Sequence, residues 1–293
     1  MRADARSRRA VMQWYRPRRG AYPWRVRLDP YRVLVSEVML QQTQASRVVP
    51  AFEGFVARFP SVAALARAPR SAVVRAWAGL GYNRRAVNLS EAARAMVRDH
   101  GGRVPKARSD LLLLPGVGPY TAAAVASLAF GEPAMAVDTN VRRVVARALL
   151  GVDGAQTRAA EVHDAAERWL DRRDPGGFNQ ALMDLGREVC RPVPRCEACP
   201  LANGCRYRRT GSPAARARRT QSPFEGSSRQ VRGKVVEVLR ARPSASLAGL
   251  ARETGAPLSG VGEAVRALAA DGIVRAGLSA RSGRPRGRVA LAD

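Results

Sequence analysis

Leu114-Pro-Gly-Val-Gly-Pro-Tyr-Thr-Ala122 sits in the middle of an uncharged stretch that runs from Leu111 to Gly131. A membrane span needs roughly 20 apolar residues without interruption. Here Pro115, Gly116, Gly118 and Pro119 break the middle of the stretch, and neither half is long enough to cross a bilayer. The reading is therefore two buried helices joined by a glycine-rich turn. Glycine lets backbone approach a ligand closely. The free N–H groups at the start of the second helix suit a phosphate. Such a turn can be purely structural, so the charge of the rest of the chain has to decide.

That charge is large. The 293 residues carry 50 Lys and Arg against 24 Asp and Glu, a formal net charge of +26. Only Lys106 and Lys234 are lysines, so the excess is almost wholly arginine. A bias towards arginine codons explains the Arg-to-Lys ratio but not the net charge. An excess of this size calls for an anionic partner, and nucleic acid is the usual one. The turn is then a helix-hairpin-helix contact to DNA backbone without sequence readout, made by Gly116, Val117, Gly118 and Thr121. The apolar fraction is that of a globular chain, which excludes disordered and fibrous classes. The basic start MRADARSRRAVMQWY lacks an apolar core and a small-residue cleavage site, so it is not a secretory signal. A cytoplasmic, nucleoid-associated protein with no membrane partner is expected.

Outward from the turn, apolar residues recur at helical spacing, as at Val48, Phe52, Phe55 and Phe59. Helices are predicted over roughly 5–16, 31–42, 44–59, 71–78, 84–99, 109–114, 119–130, 139–150, 158–171 and 176–190, with no strand before residue 206. Residues 206–230 are rich in Arg, Ser and Pro and read as a basic linker. Residues 231–293 read as a small unit. Helices are expected near 232–241, 246–254 and 259–271, with short strands at Gly272-Ile-Val-Arg and Arg288-Val-Ala-Leu around the basic turn ARSGRPRG. That order is winged-helix-like.

Three further motifs carry chemistry. In Val33-Leu-Val-Ser-Glu-Val-Met-Leu-Gln-Gln-Thr-Gln44, Glu37 is the only charge between Arg32 and Arg47. Its helical neighbours are mostly apolar. Most helix glutamates are solvated, but a carboxyl on so apolar a face has a raised pKa and can serve as an acid near neutrality. In Ala136-Val-Asp-Thr-Asn-Val-Arg-Arg-Val144, Asp138 precedes an apolar-periodic helix and reads as its N-cap. Capping N–H groups and the helix dipole favour the anion there. One carboxyl kept neutral and one kept charged is the pairing that acid-assisted glycosidic cleavage needs. Last, Cys190-x5-Cys196-x2-Cys199-x5-Cys205 holds every cysteine of the chain. Four thiolates so close suit a 4Fe-4S cluster or a zinc ion, and spacing alone leaves both open.

Together these motifs resemble the MutY-type adenine DNA glycosylases of the helix-hairpin-helix glycosylase superfamily, relatives of endonuclease III. The resemblance runs from about Trp14 to Cys205, through PWR (23–25), SEVMLQQTQ (36–44), GLGYNRRAVNL (79–89), LPGVGPYTA (114–122), VDTNVRRV (137–144), FNQALMDLG (178–186) and the cysteine loop. It implies a mainly α, two-lobed fold over residues 1–205. One lobe would be a six-helix barrel of about 29–137. The other would join 1–28 to 138–205 and hold a 4Fe-4S cluster on Cys190, Cys196, Cys199 and Cys205. The resemblance thus favours the cluster over zinc. The implied partner is double-stranded DNA bound by a monomer, with adenine mispaired with 8-oxoguanine or guanine flipped into a pocket.

The resemblance also implies roles. Glu37 protonates the flipped adenine, Asp138 stabilises the sugar cation, and Tyr120 and Asn140 support them. Trp24, Arg25 and Gln180 line the adenine pocket. Gln41, Gln42 and Tyr82 enter the base stack. Arg191, Arg195 and Arg206 present charge to phosphates. Tyr120 stands where endonuclease III-type relatives carry a Schiff-base lysine, so a monofunctional enzyme is implied. Thymine-mismatch relatives lack the glutamate, which sets that alternative below adenine. A non-enzymatic iron–sulfur DNA-binding regulator would not need the Glu37–Asp138 pair.

Two features depart from the pattern. The first cysteine gap is five residues where six is usual. The C-terminal region has no histidine, since only His100 and His163 exist, and its winged-helix-like pattern replaces the Nudix-like domain that reads 8-oxoguanine in many relatives. What this C-terminal unit binds is left open by the sequence.

Overall fold

Val48, Phe52, Phe55 and Phe59, placed on one face by their spacing, are all buried, along the helix Ala45–Arg58 and at its end. The same rule holds through the structure, a computed structural model that describes residues 4–20, 22–26, 28–210 and 223–293. Of the expected linker, residues 211–222 lie outside the described residues. The ten helices expected before residue 191 are present with ends moved by at most a few residues, except that Ala146–Leu150 continues Thr139–Val145 as a π-turn. Short helices Pro23–Val26 and Val62–Arg67 add to them. The second is started by Ser61, whose hydroxyl accepts from Ala64 N–H, a capping signal that its few residues of periodicity do not reveal. Among the described residues no helix is long and apolar enough to cross a membrane.

The chain forms two units. The first comprises Met1–Glu37, Pro105–Leu113 and Val117–Arg218. Its core joins Val11 and Tyr15 of helix Ala5–Tyr15 to Val141 and Val144, to Val162 and Trp169 of helix Ala159–Trp169, and to Phe178, Leu182 and Leu185 of helix Pro175–Glu188. Helix Pro119–Phe130 is buried over most of its length and ends at Gly131, whose left-handed backbone (φ 68°) closes it. This helix packs against Pro175–Glu188. The approach is close at Gly176, where a Cβ would stand 2.9 Å from the Ser127 carbonyl oxygen. That packing explains a difference from the expected lobes. Residues 117–137, contiguous in sequence with the barrel segment, group with the cysteine-bearing segment instead.

The second unit comprises Val38–Val104, Leu114–Gly116 and Arg219–Asp293. Its C-terminal part runs helix Ser228–Ala241, β1 (Ala245–Ser246), helix Leu247–Thr254, helix Leu258–Ala270, β2 (Val274–Ala276), helix Leu278–Arg281 and β3 (Arg288–Leu291). The antiparallel sheet has the order β1-β3-β2, with Ala245 opposite Val289 and Val274 opposite Leu291. This is the winged-helix-like order, with two additions that the sequence did not signal. β1 is only two residues long, and the helix Leu278–Arg281 occupies part of the expected basic turn. Val235, Leu239, Leu250, Val265 and Leu291 form a core that also takes in Val74 and Val87 from the N-terminal part of the unit.

Candidate active site

Glu37 lies in the helix Pro30–Leu40 and is 5% exposed. Across 83 residues of sequence, the Tyr120 hydroxyl donates to its Oε2 at 2.9 Å. Burial pushes the Glu37 carboxyl from 4.5 up to about 7; the Tyr120 hydrogen bond and the Arg25 charge pull down, while the Asp138 charge pushes up. A carboxylic acid half protonated at neutral pH is a competent proton donor. Tyr120 itself is held far above the usual phenol range, first by burial and then by the Glu37 charge. It therefore stays a hydrogen-bond donor.

Asp138 caps helix Thr139–Val145 as its position suggests. Its Oδ1 accepts from Asn140 N–H at 2.9 Å and Val141 N–H at 2.7 Å, and its Oδ2 from Asn140 Nδ2 at 2.8 Å. The cap alone was expected to favour the anion. The structure adds burial, which exceeds these three bonds and lifts the carboxyl above its ordinary 3.8. Burial thus raises both carboxyls, opposed by three hydrogen bonds at Asp138 and by the Tyr120 hydrogen bond and the Arg25 charge at Glu37. Asn140 is tied further back: Arg143 Nη2 donates to its Oδ1 at 2.8 Å, and Arg143 Nε donates to the Cys190 carbonyl at 2.6 Å. A continuous chain of hydrogen bonds thus connects Asp138 to the first cysteine.

Arg25 forms a two-pronged ion pair with Asp184, at 2.8 and 3.1 Å, with both side chains buried. The Gln180 amide oxygen accepts from the Tyr15 hydroxyl at 2.6 Å. Arg25, Gln180 and Tyr15 line one cavity of about 410 Å³, together with Arg16, Arg19 and Arg173. Glu37, Tyr120 and Asp138 are not among its lining residues. Trp24 stacks flat on Tyr22 with ring centres 4.9 Å apart. Asp184, Tyr15 and Tyr22 were not singled out from the sequence. Asp184 lies in FNQALMDLG and Tyr22 directly precedes PWR, but nothing in either stretch signals a pairing 159 residues long.

The expected stack-entering residues are in the second unit. Gln42 and Tyr82 are exposed, and both have left-handed backbone, φ 57° and 44°. Such conformations in non-glycine residues cost of order 1–3 kcal/mol and cluster at ligand-binding sites. Arg85, 7% exposed, holds both turns in place. Its Nη1 donates to the carbonyls of Met39 (2.7 Å) and Gln41 (2.6 Å), and its Nη2 to Thr43 Oγ1, Leu80 and Gly81 at 3.0–3.1 Å. Burial draws its guanidinium down to about 10, still cationic at neutral pH. Of the motif GLGYNRRAVNL, the sequence reading singled out Tyr82 but not Arg85.

Of the expected backbone-contact residues, Gly116 has φ 76°, and a Cβ there would meet Asn88 at 2.7 Å. Glycine is needed at that point for both reasons. Val117 and Thr121 are buried, 6% and 2% exposed, so any contact they make runs through their N–H groups. Leu113 beside them is 80% exposed. The four cysteines form no disulfide and all line one small cavity with Arg147 and Tyr207. Arg147 Nη1 stands 3.9 Å from Cys190 Sγ and donates to the Arg191 carbonyl, while its Nη2 pairs with buried Asp153 at 2.7 Å and donates to the Pro192 carbonyl. Among the described residues no three His, Cys, Asp or Glu side chains converge tightly enough to hold a single metal ion.

Residues 35–172 match the HhH-GPD superfamily of base excision DNA repair proteins. The chain is 44% identical over 237 residues to an adenine DNA glycosylase of Mycobacterium tuberculosis, covering 79% of this chain and 77% of that one. It is 42% identical over 232 residues to an adenine DNA glycosylase of Mycolicibacterium smegmatis, covering 78% and 79%. Among solved structures, a thermostable thymine-DNA glycosylase superposes with a TM-score of 0.65 at 33% identity, over 69% of this chain and 95% of that one.

Proposed function

The chain belongs to the adenine DNA glycosylases of the HhH-GPD superfamily of base excision DNA repair proteins, and from that premise we propose that it hydrolyses the N-glycosidic bond of adenine mispaired with 8-oxoguanine or guanine. The observation that carries this reading is the buried Glu37 carboxyl, held near 7 and hydrogen-bonded to Tyr120, in one unit with the capped Asp138.

Protonated Glu37 gives its proton to the flipped adenine. The C1′–N9 bond then breaks with its electron pair leaving on the base. General acid help of this kind is typically worth about 10²–10⁴-fold. Asp138 stabilises the oxocarbenium-like sugar by its charge, with Asn140 and the helix N–H groups keeping it in place. Water adds its hydroxyl to C1′ and yields an abasic site. Tyr120 orients Glu37 and supplies no nucleophile. Neither lysine is in this site: Lys106 pairs with Glu132 at 2.9 Å, and Lys234 donates to the Thr254 carbonyl at 2.9 Å. Without an amine there, Schiff-base strand cleavage has no nucleophile, and the reading is a monofunctional enzyme working where the chromosomal DNA is.

Cys190, Cys196, Cys199 and Cys205 would hold a 4Fe-4S cluster. All four thiols line one shared cavity, and four cysteine thiolates are the ligands such a cluster takes. When bound, the cluster cross-links a loop with little core of its own. Arg147 and Arg143 neutralise charge beside Cys190, and Arg191, Arg195 and Arg206 face phosphates.

The test is single-turnover base release from duplexes carrying adenine opposite 8-oxoguanine, adenine opposite guanine, and thymine opposite guanine, with alkali added afterwards. Release of adenine with strand cutting only after alkali is expected. Release of thymine, or cutting without alkali, would overturn the reading.

A further inference from the structure

A cavity of about 670 Å³ in the second unit takes no part in the chemistry above. Two of its walls are the Gln41–Gln44 turn and the Leu80–Arg85 turn. The third wall comes from the C-terminal part of the chain. It is made by Phe224, by Arg229 and Arg232 at the start of helix Ser228–Ala241, and by Asp271 and Ile273. The volume is within the range of about 300–1,000 Å³ of small-ligand sites.

The lining has a recognisable chemistry. Gln41, Gln42 and Gln44 offer amide donors and acceptors. Phe224 is 58% exposed, a large apolar ring left open to the solvent. Arg47, Arg84, Arg229 and Arg232 bring guanidinium groups. Amides match the edge of a base, an open ring matches its face, and guanidinium matches phosphate. Nucleotides combine all three features.

The third wall is fixed to the other two. Arg240 donates through Nε to the Val74 carbonyl at 3.0 Å and through Nη2 to Asn83 Oδ1 at 2.7 Å. Arg75 reciprocates, donating to the carbonyls of Leu239 and Arg240. Arg84 pairs with Asp271 at 2.7 Å. Asn83 directly follows the strained Tyr82, so the C-terminal domain bears on the very turn that carries that ring. A helix-turn-helix domain usually reads DNA with its second helix in the major groove. In this chain the domain faces the cavity instead with its first helix, the loop before that helix, and the end of its third.

We propose that the C-terminal domain completes a nucleotide-binding site: the cavity takes one nucleotide of the bound duplex, its base against Phe224 and its phosphates on Arg229 and Arg232, with Arg240 as a positioning residue. The inference rests on the glycosylase reading, which supplies the duplex. It is tested on the full chain with Asp138→Asn, by fluorescence anisotropy on an adenine–guanine duplex across a series of salt concentrations. The double variant Arg229→Ala/Arg232→Ala is expected to lower the slope of log affinity against log salt by about 2, near 0.9 per phosphate contact. Phe224→Ala is expected to weaken binding about tenfold with the slope kept, as loss of stacking does. Arg240→Met is expected to weaken binding with the slope kept. Arg252→Ala/Arg275→Ala removes the same charge from exposed positions of the same domain outside the cavity, and is expected to leave the slope unchanged. Equal slopes and affinities for the cavity variants and the unsubstituted chain would overturn the inference, as would an equal loss in the Arg252/Arg275 variant. Adenine release by the wild type is measured in parallel. Its absence would overturn the glycosylase reading and this inference with it, whereas release together with unaltered binding in the cavity variants would overturn the inference alone.

Discussion

The segment around Asp138 and the helix around Glu37 hold a carboxyl in opposite ways. Asp138 finds all three of its donors within the next three residues, at Asn140 and Val141. Among the described residues Glu37 has no local donor: its hydrogen bond comes from Tyr120, and its main influence is the burial around it. A helix start therefore supplies a carboxylate with donors of its own, because its N–H groups are unpaired and point at the cap, even where burial outweighs them as at Asp138. A carboxyl in mid-helix has no such neighbours and takes its protonation state from the rest of the core.

The largest expected effect that tests this contrast is on chemistry. Glu37→Gln keeps the shape and the Tyr120 contact but cannot donate a proton, so single-turnover adenine release should fall by about 10²–10⁴-fold while duplex affinity stays within a few-fold. Turnover like the wild type's would break the contrast at its acid end. Asp138→Asn keeps a capping side chain and loses the charge. Release should fall by about 10²-fold, the order seen when one preorganised charge-stabilising group is removed.

Stability should respond in the reverse direction at Glu37. Its folded pKa, about 7, lies above the ordinary 4.5, so the folded state holds a proton that the unfolded chain gives up. The stability from this group is complete below about 4.5 and is lost as pH rises through 7. At 1.36 kcal/mol per unit the loss is about 3 kcal/mol by pH 8. Glu37→Gln should therefore be more stable than the wild type in urea unfolding at pH 8 by up to that amount, and the gain should vanish near pH 4. At the capped end the hydrogen bonds themselves are tested. Asp138→Ala should cost about 1 kcal/mol more than Asp138→Asn, since only asparagine still caps the helix.

The smallest effect sharpens the comparison most. Tyr120→Phe removes the one hydrogen bond that lowers the Glu37 pKa. The alkaline limb of the single-turnover pH profile, which falls as Glu37 loses its proton near 7, should move to higher pH. A shift to lower pH would mean that the hydroxyl stabilises the acid form instead.

Much of this was legible beforehand. Helix positions followed from apolar spacing, and the Asp138 cap from one acidic residue before an apolar run. The isolation of Glu37 between Arg32 and Arg47 foretold a buried acid. Partners distant in sequence were not legible. Arg25 with Asp184, Tyr15 with Gln180, and Arg85 with two turns at once are each brought together by packing, and a charged residue among many arginines carries no mark of which one will be buried. The close packing of helix Pro119–Phe130 against Pro175–Glu188, which Gly176 permits, was not legible for the same reason, since no local pattern records that approach.

The sequence by itself determined the helices, the hairpin turn, the cap at Asp138 and the candidate acid, because each depends on residues within a turn or two of one another. Only the tertiary structure decided that Tyr120 would meet Glu37, that burial would outweigh the cap at Asp138, and that the C-terminal domain would share a core with Val74 and Val87. Desolvation and long-range pairing depend on what the whole chain packs around a group, and that is set by the fold rather than by its neighbours in sequence.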